Sequence, residues 1–142
     1  MRILYFSPRD CWPLTSGARL RDYHLARELS RHAQLTYLGF LRNGETQSWK
    51  GPMGAEQNVE CLLIPLEQSY TPGKLLRGLS GPLPVTVLNY TTARMRAELT
   101  RTLADGNFDL VQMEGIHLSG YLPEIAQAGS RPRLICDWHN IE

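Results

Sequence analysis

Three short stretches of this chain hold side chains of the types that chemistry needs. Residues 8–22 read PRDCWPLTSGARLRD. Gly17 lets a ligand come close to the backbone, and a helix opening at Ala18 would offer unpaired N–H groups to an anion. Arg19 and Arg21 would add fork-shaped donors for a phosphate. The plainer reading is a turn glycine followed by a solvated basic face. The second stretch is Glu114-Gly115, with His117 nearby. A carboxylate at a strand's end can accept sugar hydroxyls or act as a base, or it can simply cap a helix. The third is Asp137-Trp138-His139-Asn140. His139 can relay or orient a proton near neutral pH, and Asp137 and Asn140 can hold its ring or bond to polyols. Trp12 and Trp138 flank these stretches, as stacking platforms or as partial core.

Other chemistries lack their signatures. Gly17 stands without the further glycines of a dinucleotide fingerprint. Gly73-Lys74 lacks the leading glycine, the following Ser or Thr and the preceding strand of a P-loop. No Gly-x-Ser-x-Gly elbow occurs. The four histidines, His24, His32, His117 and His139, have no metal-ligand spacing, so neither a metal nor a resident cofactor is expected. The three cysteines are widely spaced with no Cys-x-x-Cys, which argues against a disulfide framework or zinc and for a reducing cytoplasm. Cys61 and Cys136 lie in apolar runs and are expected to be inert core thiols.

Composition sets the outer bounds. The chain has 142 residues, enough for one domain with a real core. Fifteen basic against fourteen acidic residues leave a net charge of +1, so bulk attraction to nucleic acid is not expected. No apolar run approaches the roughly 20 residues that span a bilayer, and the opening MRILYFSP has one basic residue and too short an apolar stretch for a secretory signal. The segment with Lys74, Leu75, Leu76, Arg77 and Leu79 is a candidate for peripheral contact with an anionic membrane surface.

The elements that must position the three stretches alternate. Ile3–Ser7 reads as a buried strand. A helix is expected from about Ser16 to Arg31, with Ser16 as N-cap, Ala18, Leu25, Ala26, Leu29 and Ala33 on one face, and Arg19, Arg27 and Arg31 opposite. Strands follow at AQLTYLGFL, VECLLIPL, FDLVQM and PRLICDW. TTARMRAELTRTLAD reads as a helix capped by Thr91 or Thr92, buried through Met95, Leu99 and Leu103, and stopped by Asp-Gly-Asn. A further helix is expected to open near His117 and end at Gly129, disturbed by Pro123. YTPGKLLRGLSGPLPVTV has no clear assignment. Alternating strands and helices imply an α/β, Rossmann-like, doubly wound and mostly parallel sheet. Right-handed crossovers favour the order 3-2-1-4-5. The loops after strands 1, 4 and 5 would then meet above one crevice, where open α/β sheets bind ligands.

On these residues the chain resembles the N-terminal domain of GT-B glycosyltransferases of the glycosyltransferase-4-like group. The opening MRILYFSPRDCWPLTSGARLRDYHLARELSRHAQLTYLGF, then FDLVQMEGIHLSGYLPEI, then LICDWHNIE are similar to three of its landmarks, in the same order. Ala18 stands where a second glycine is common. The resemblance implies two Rossmann-like domains facing across a cleft, the N-terminal one holding the acceptor and the C-terminal one the nucleotide-sugar. It implies Gly17 near the donor diphosphate or the acceptor, His139 near the transferred sugar, and retention of anomeric configuration. The substrates so implied are a sugar-nucleotide donor and a glycan or lipid-linked acceptor, in the cytoplasm or at the inner membrane face. On this reading the chain is an incomplete N-terminal domain, inactive alone, whose nucleotide-sugar domain is missing. The alternative is a non-catalytic, flavodoxin-like α/β binding or interaction domain.

Overall fold

The computed structural model describes residues 1–42, 58–66, 73, 76, 78, 81 and 83–138. Five parallel strands form one sheet in the order β3-β2-β1-β4-β5: β1 is Arg2–Ser7, β2 Gln34–Arg42, β3 Val59–Leu66, β4 Leu110–Glu114 and β5 Arg133–Asp137. The order is the expected one. β1 sits centrally, in register with β2 from Arg2↔Gln34 and with β4 from Ile3↔Leu110. Its continuous apolar run fits a strand covered on both faces.

Four α-helices cover the sheet among the described residues: α1 Gly17–Ser30, α2 Val85–Tyr90, α3 Ala93–Gly106 and α4 Leu122–Ala126. Ser16 caps α1 by accepting the Arg19 N–H at 3.3 Å. Thr92 caps α3 by accepting the Met95 N–H at 3.1 Å, and Asn107, at φ 44°, turns the chain out of it. Alternation along each strand splits the core. On one face Leu4, Phe6, Phe40, Val111 and Met113 pack with Met95, Leu99 and Leu103 of α3. On the other, Ile3, Tyr5, Leu35, Tyr37 and Leu63 pack with Tyr23 and Ala26 of α1.

Several expectations are corrected. The helix expected from His117 is a 3-10 turn, Ile116–Tyr121, followed by the short α4. Pro123 lies in the first turn of α4, where its missing N–H costs nothing. α2 was not expected, because Val85, Thr86 and Val87 are β-branched. It forms by docking: the Tyr121 hydroxyl donates to the Tyr90 carbonyl at 2.6 Å and accepts the Thr92 N–H at 2.9 Å. Cys136 is exposed rather than core, because β5 is an edge strand that no described element covers. Cys61 is half-buried, whereas Cys11, in the loop after β1, is buried.

No helix among the described residues is long and apolar enough to cross a membrane. Of the residues named for membrane contact, Lys74, Leu75, Arg77 and Leu79 lie outside the described residues, and Leu76 is exposed.

Candidate functional site

Parallel strands present all their C-terminal ends to one rim, so Ser7, Glu114 and Asp137 lie on the same side of the sheet. The chain leaves β1 under tight restraint. The Ser7 hydroxyl donates to the Asp22 carboxylate at 2.8 Å, and the Arg9 guanidinium meets the same oxygen at 3.1 Å. The Tyr5 hydroxyl lies 3.5 Å from the other oxygen. Ser7 and Asp22 are fully buried. The Arg9 carbonyl accepts the Tyr37 hydroxyl at 2.9 Å and passes over Gly39, where a Cβ would stand 2.6 Å from it. Only glycine fits there, so β2 fixes the start of the loop that leads to α1.

The loop then turns back on itself. Asp10 accepts the Trp12 N–H at 3.0 Å, and the Trp12–Pro13 peptide is cis. The Arg19 guanidinium donates to the carbonyls of Trp12 and Pro13, each at 3.4 Å. Arg19 is therefore half-buried against the loop, not set on a solvated face as its position in the helix pattern implied. Gly17 is exposed at the first turn of α1, and a Cβ there would meet no described atom within 4 Å. Ala18 beside it is half-buried.

Arg21 joins the three stretches. From α1 its guanidinium donates to Glu114 at 3.2 Å and to Asp137. Glu114 is buried, and its other oxygen accepts the Gln112 amide at 2.8 Å. Asp137 stands opposite Glu114 in the β4–β5 register, and its carbonyl accepts the Gly115 N–H at 2.9 Å. Gly115 makes that turn at φ 88°, a backbone region that disfavours side chains. His117 turns to the other side of the tip and packs edge-on against Tyr90, ring centroids 5.1 Å apart.

The electrostatics follow from burial. Partial burial pulls the Arg21 pKa down, but its bond to Asp137 and the charge of Glu114 outweigh this and hold it above the usual value. Burial, with the charges of Asp22 and Glu114, pushes the Tyr5 phenol well above its ordinary range. Four carboxylates, Asp10, Asp22, Glu114 and Asp137, stand here with the guanidinium groups of Arg9, Arg19 and Arg21; Asp10, Asp22 and Glu114 are buried, and Asp137 is the one of the four with exposed surface.

The expected site residues thus fall into two groups. Arg21, Glu114 and Asp137 meet, with Gly17, Ala18 and Arg19 on the adjoining helix start. His139 and Asn140 lie outside the described residues. Sequence reasoning passed over Tyr5, Ser7, Arg9, Asp22 and Gln112. Of these, Asp22 carried a signal: it lies four residues from both Ala18 and Ala26, on the helix's apolar side, where a carboxylate needs a buried partner. Among the described residues no group of three His, Cys, Asp or Glu side chains is placed to hold a metal ion. A concavity of about 990 Å³ lies away from the rim, at the opposite strand ends, lined by Met1, Asp109, Leu110, Arg133, Leu134 and Ile135.

No protein-family model matches the chain, and no curated protein matches it. Among solved structures, the chain is similar to the C-terminal domain of a hydrogenase from Pyrococcus furiosus, with a TM-score of 0.58 and 14% identity over 96% of this chain and 89% of that one. At that identity the likeness shows a shared fold, a Rossmann-like parallel α/β domain.

Proposed function

We propose that this chain forms the acceptor-side wall of a GT-B glycosyltransferase that moves a sugar from a nucleotide-sugar to a glycan or lipid-linked acceptor. The observation that carries the reading is Arg21 bound at once to Glu114 and Asp137. It gathers the three segments on which the resemblance rests at a single rim. On this reading the donor would be held by a separate nucleotide-sugar domain facing this one.

In such a transfer an acceptor hydroxyl forms the new bond to the anomeric carbon, the bond from that carbon to the diphosphate breaks, and the hydroxyl proton goes to a base. His139, two residues beyond Asp137 in sequence, is the candidate catalytic residue. Gly17, Ala18, Arg19, Glu114 and Asn140 would border the substrates, with Arg21 positioning Glu114. Both walls are needed to stabilise the transition state, so the acceptor-side domain by itself would bind acceptor without turnover. The proposed setting is the cytoplasm, at the inner membrane face where the acceptor is lipid-linked.

One observation favours the non-catalytic reading. Arg21 and Glu114 satisfy one another, as a strut tying helix to sheet would. Calorimetric titration separates the two. The glycosyltransferase reading expects heat from short glycans, little from a nucleotide-sugar alone, and loss of the glycan signal in His139→Ala. Absence of glycan heat at millimolar concentration would favour the binding-domain reading instead.

A further inference from the structure

The two edges of the sheet are built differently. β3 carries Pro65, which lacks an N–H, and Glu60, both of the kind that natural edges use against pairing. β5 reads Arg-Leu-Ile-Cys-Asp, with no proline or lysine. Leu134 and Ile135 are 40% and 48% exposed, and Trp138 just beyond them 61%. They do not share one face. The register with β4 sets Leu134 and Cys136 level with Val111 and Met113, toward the α3 layer, and Ile135 level with Gln112, toward the α1 layer. Among the described residues nothing covers either face of the strand.

The outer backbone groups are fixed by the inner ones. The Arg133 N–H donates to the Asp109 carbonyl at 3.0 Å, and the Asp137 carbonyl accepts the Gly115 N–H at 2.9 Å. Both bonds point to β4. Alternation then turns the N–H and C=O groups of Leu134 and Cys136 outward, past the edge of the sheet.

We propose that β5 pairs antiparallel with β5 of a second copy of this chain, about a two-fold axis at Ile135. In that register Leu134 stands opposite the second copy's Cys136 and exchanges both outward hydrogen bonds with it, twice by symmetry. Ile135 packs on its own symmetry mate in a non-hydrogen-bonded pair, where side chains approach most closely. Arg133 falls opposite the second copy's Asp137, again twice. The strand's two charged residues are its ends and carry opposite signs, so the self-paired register sets each Arg133 against an opposite charge. A register slipped by two residues would lose both of these matches and set Ile135 opposite Arg133 or Asp137 instead of its own symmetry mate. The pairing also brings the second copy's Arg133 beside the carboxylate that Arg21 already holds, which links the interface to the rim. It extends the five-stranded sheet into a continuous ten-stranded one, with an isologous contact.

Sedimentation equilibrium of the 142-residue chain tests this. The expected result is a reversible species of twice the 16.1 kDa chain mass. Arg133→Glu, which puts like charges opposite each Asp137, is expected to raise the dissociation constant about tenfold or more. Register is read by disulfide trapping in a Cys136→Ser background. Ile135→Cys faces itself across the axis and cross-links on mild oxidation; Arg133→Cys, which faces Asp137, does not. Circular dichroism checks that each variant remains folded. A single 16.1 kDa species at about 0.1 mM overturns the proposal. So does a dimer in which Arg133→Cys cross-links as readily as Ile135→Cys, or in which neither does.

Discussion

Arg21 and Glu114 are 93 positions apart in sequence and 3.2 Å apart in space. The pair ties the first helix to the fourth strand. Through Asp137 the same guanidinium reaches the fifth. Glu114 has no exposed side-chain surface, whereas the Arg21 side chain keeps 39% of its own. The two partners therefore depend on each other unequally.

That inequality predicts an order of stabilities. Glu114→Gln leaves Arg21 with water and Asp137, and is expected to cost about 1–2 kcal/mol. Arg21→Met leaves a carboxylate buried without its cation, and is expected to cost about 2–4 kcal/mol. Urea unfolding at neutral pH reads both. Equal costs, or the reverse order, would mean that Glu114 draws its compensation from elsewhere.

Much of the scaffold was legible in the sequence. VECLLIPL is β3 residue for residue, Ser16 announces α1 by residue type, and the pair Thr91-Thr92 announces α3, with Thr92 the cap. α2 was not legible, because its hold on Tyr121 lies in tertiary structure and its own residues favour strand. β5 misled for a different reason: Leu-Ile-Cys is as apolar as a buried strand, and an apolar run does not say whether anything covers it. At the rim, the strand-end position of Glu114 and the basic start of α1 were visible as residue types. Their contact was not, since a separation of 93 residues leaves no periodic trace. Asp22 was visible in principle, on the Ala18–Ala26 side of its helix. Its partners Ser7 and Arg9 come from the preceding strand and loop, which helical spacing does not report.

Gly17 separates ligand binding from folding. Its Cβ would enter open space, and alanine suits a helix's first turn better than glycine. Gly17→Ala is expected to leave the melting temperature unchanged or raise it slightly, while weakening glycan affinity several-fold by filling the space beside the rim. Thermal unfolding and glycan titration on the same sample give both values. Unchanged affinity would place the ligand away from α1.

Alkaline pH has a stability cost with a definite sign. Burial, reinforced by Asp10 and Asp22, pushes the Cys11 thiol from 9.0 up to about 12. Burial likewise lifts the Tyr5 and Tyr37 phenols above 10.0. These groups lose protons first in the unfolded chain, which then binds fewer protons than the folded one. Their contribution is complete below about pH 9 and falls above it, by about 1.4 kcal/mol per pH unit for each group ionised only when unfolded. Denaturation midpoints from pH 8 to 11 should decline accordingly. At pH 8 a thiol reagent should modify the exposed Cys136 in the native chain and reach Cys11 only after unfolding.

The central claim is that the rim joined by Arg21 is where an acceptor sugar binds. Amide chemical-shift mapping during titration with a short oligosaccharide tests it most directly. The account predicts perturbations clustered at Gly17, Ala18, Gln112, Glu114, Gly115 and Asp137, with the opposite strand ends at Arg2, Gln34 and Asp109 unmoved. Shifts confined to that opposite end, or no saturable shift at any amide, would contradict it.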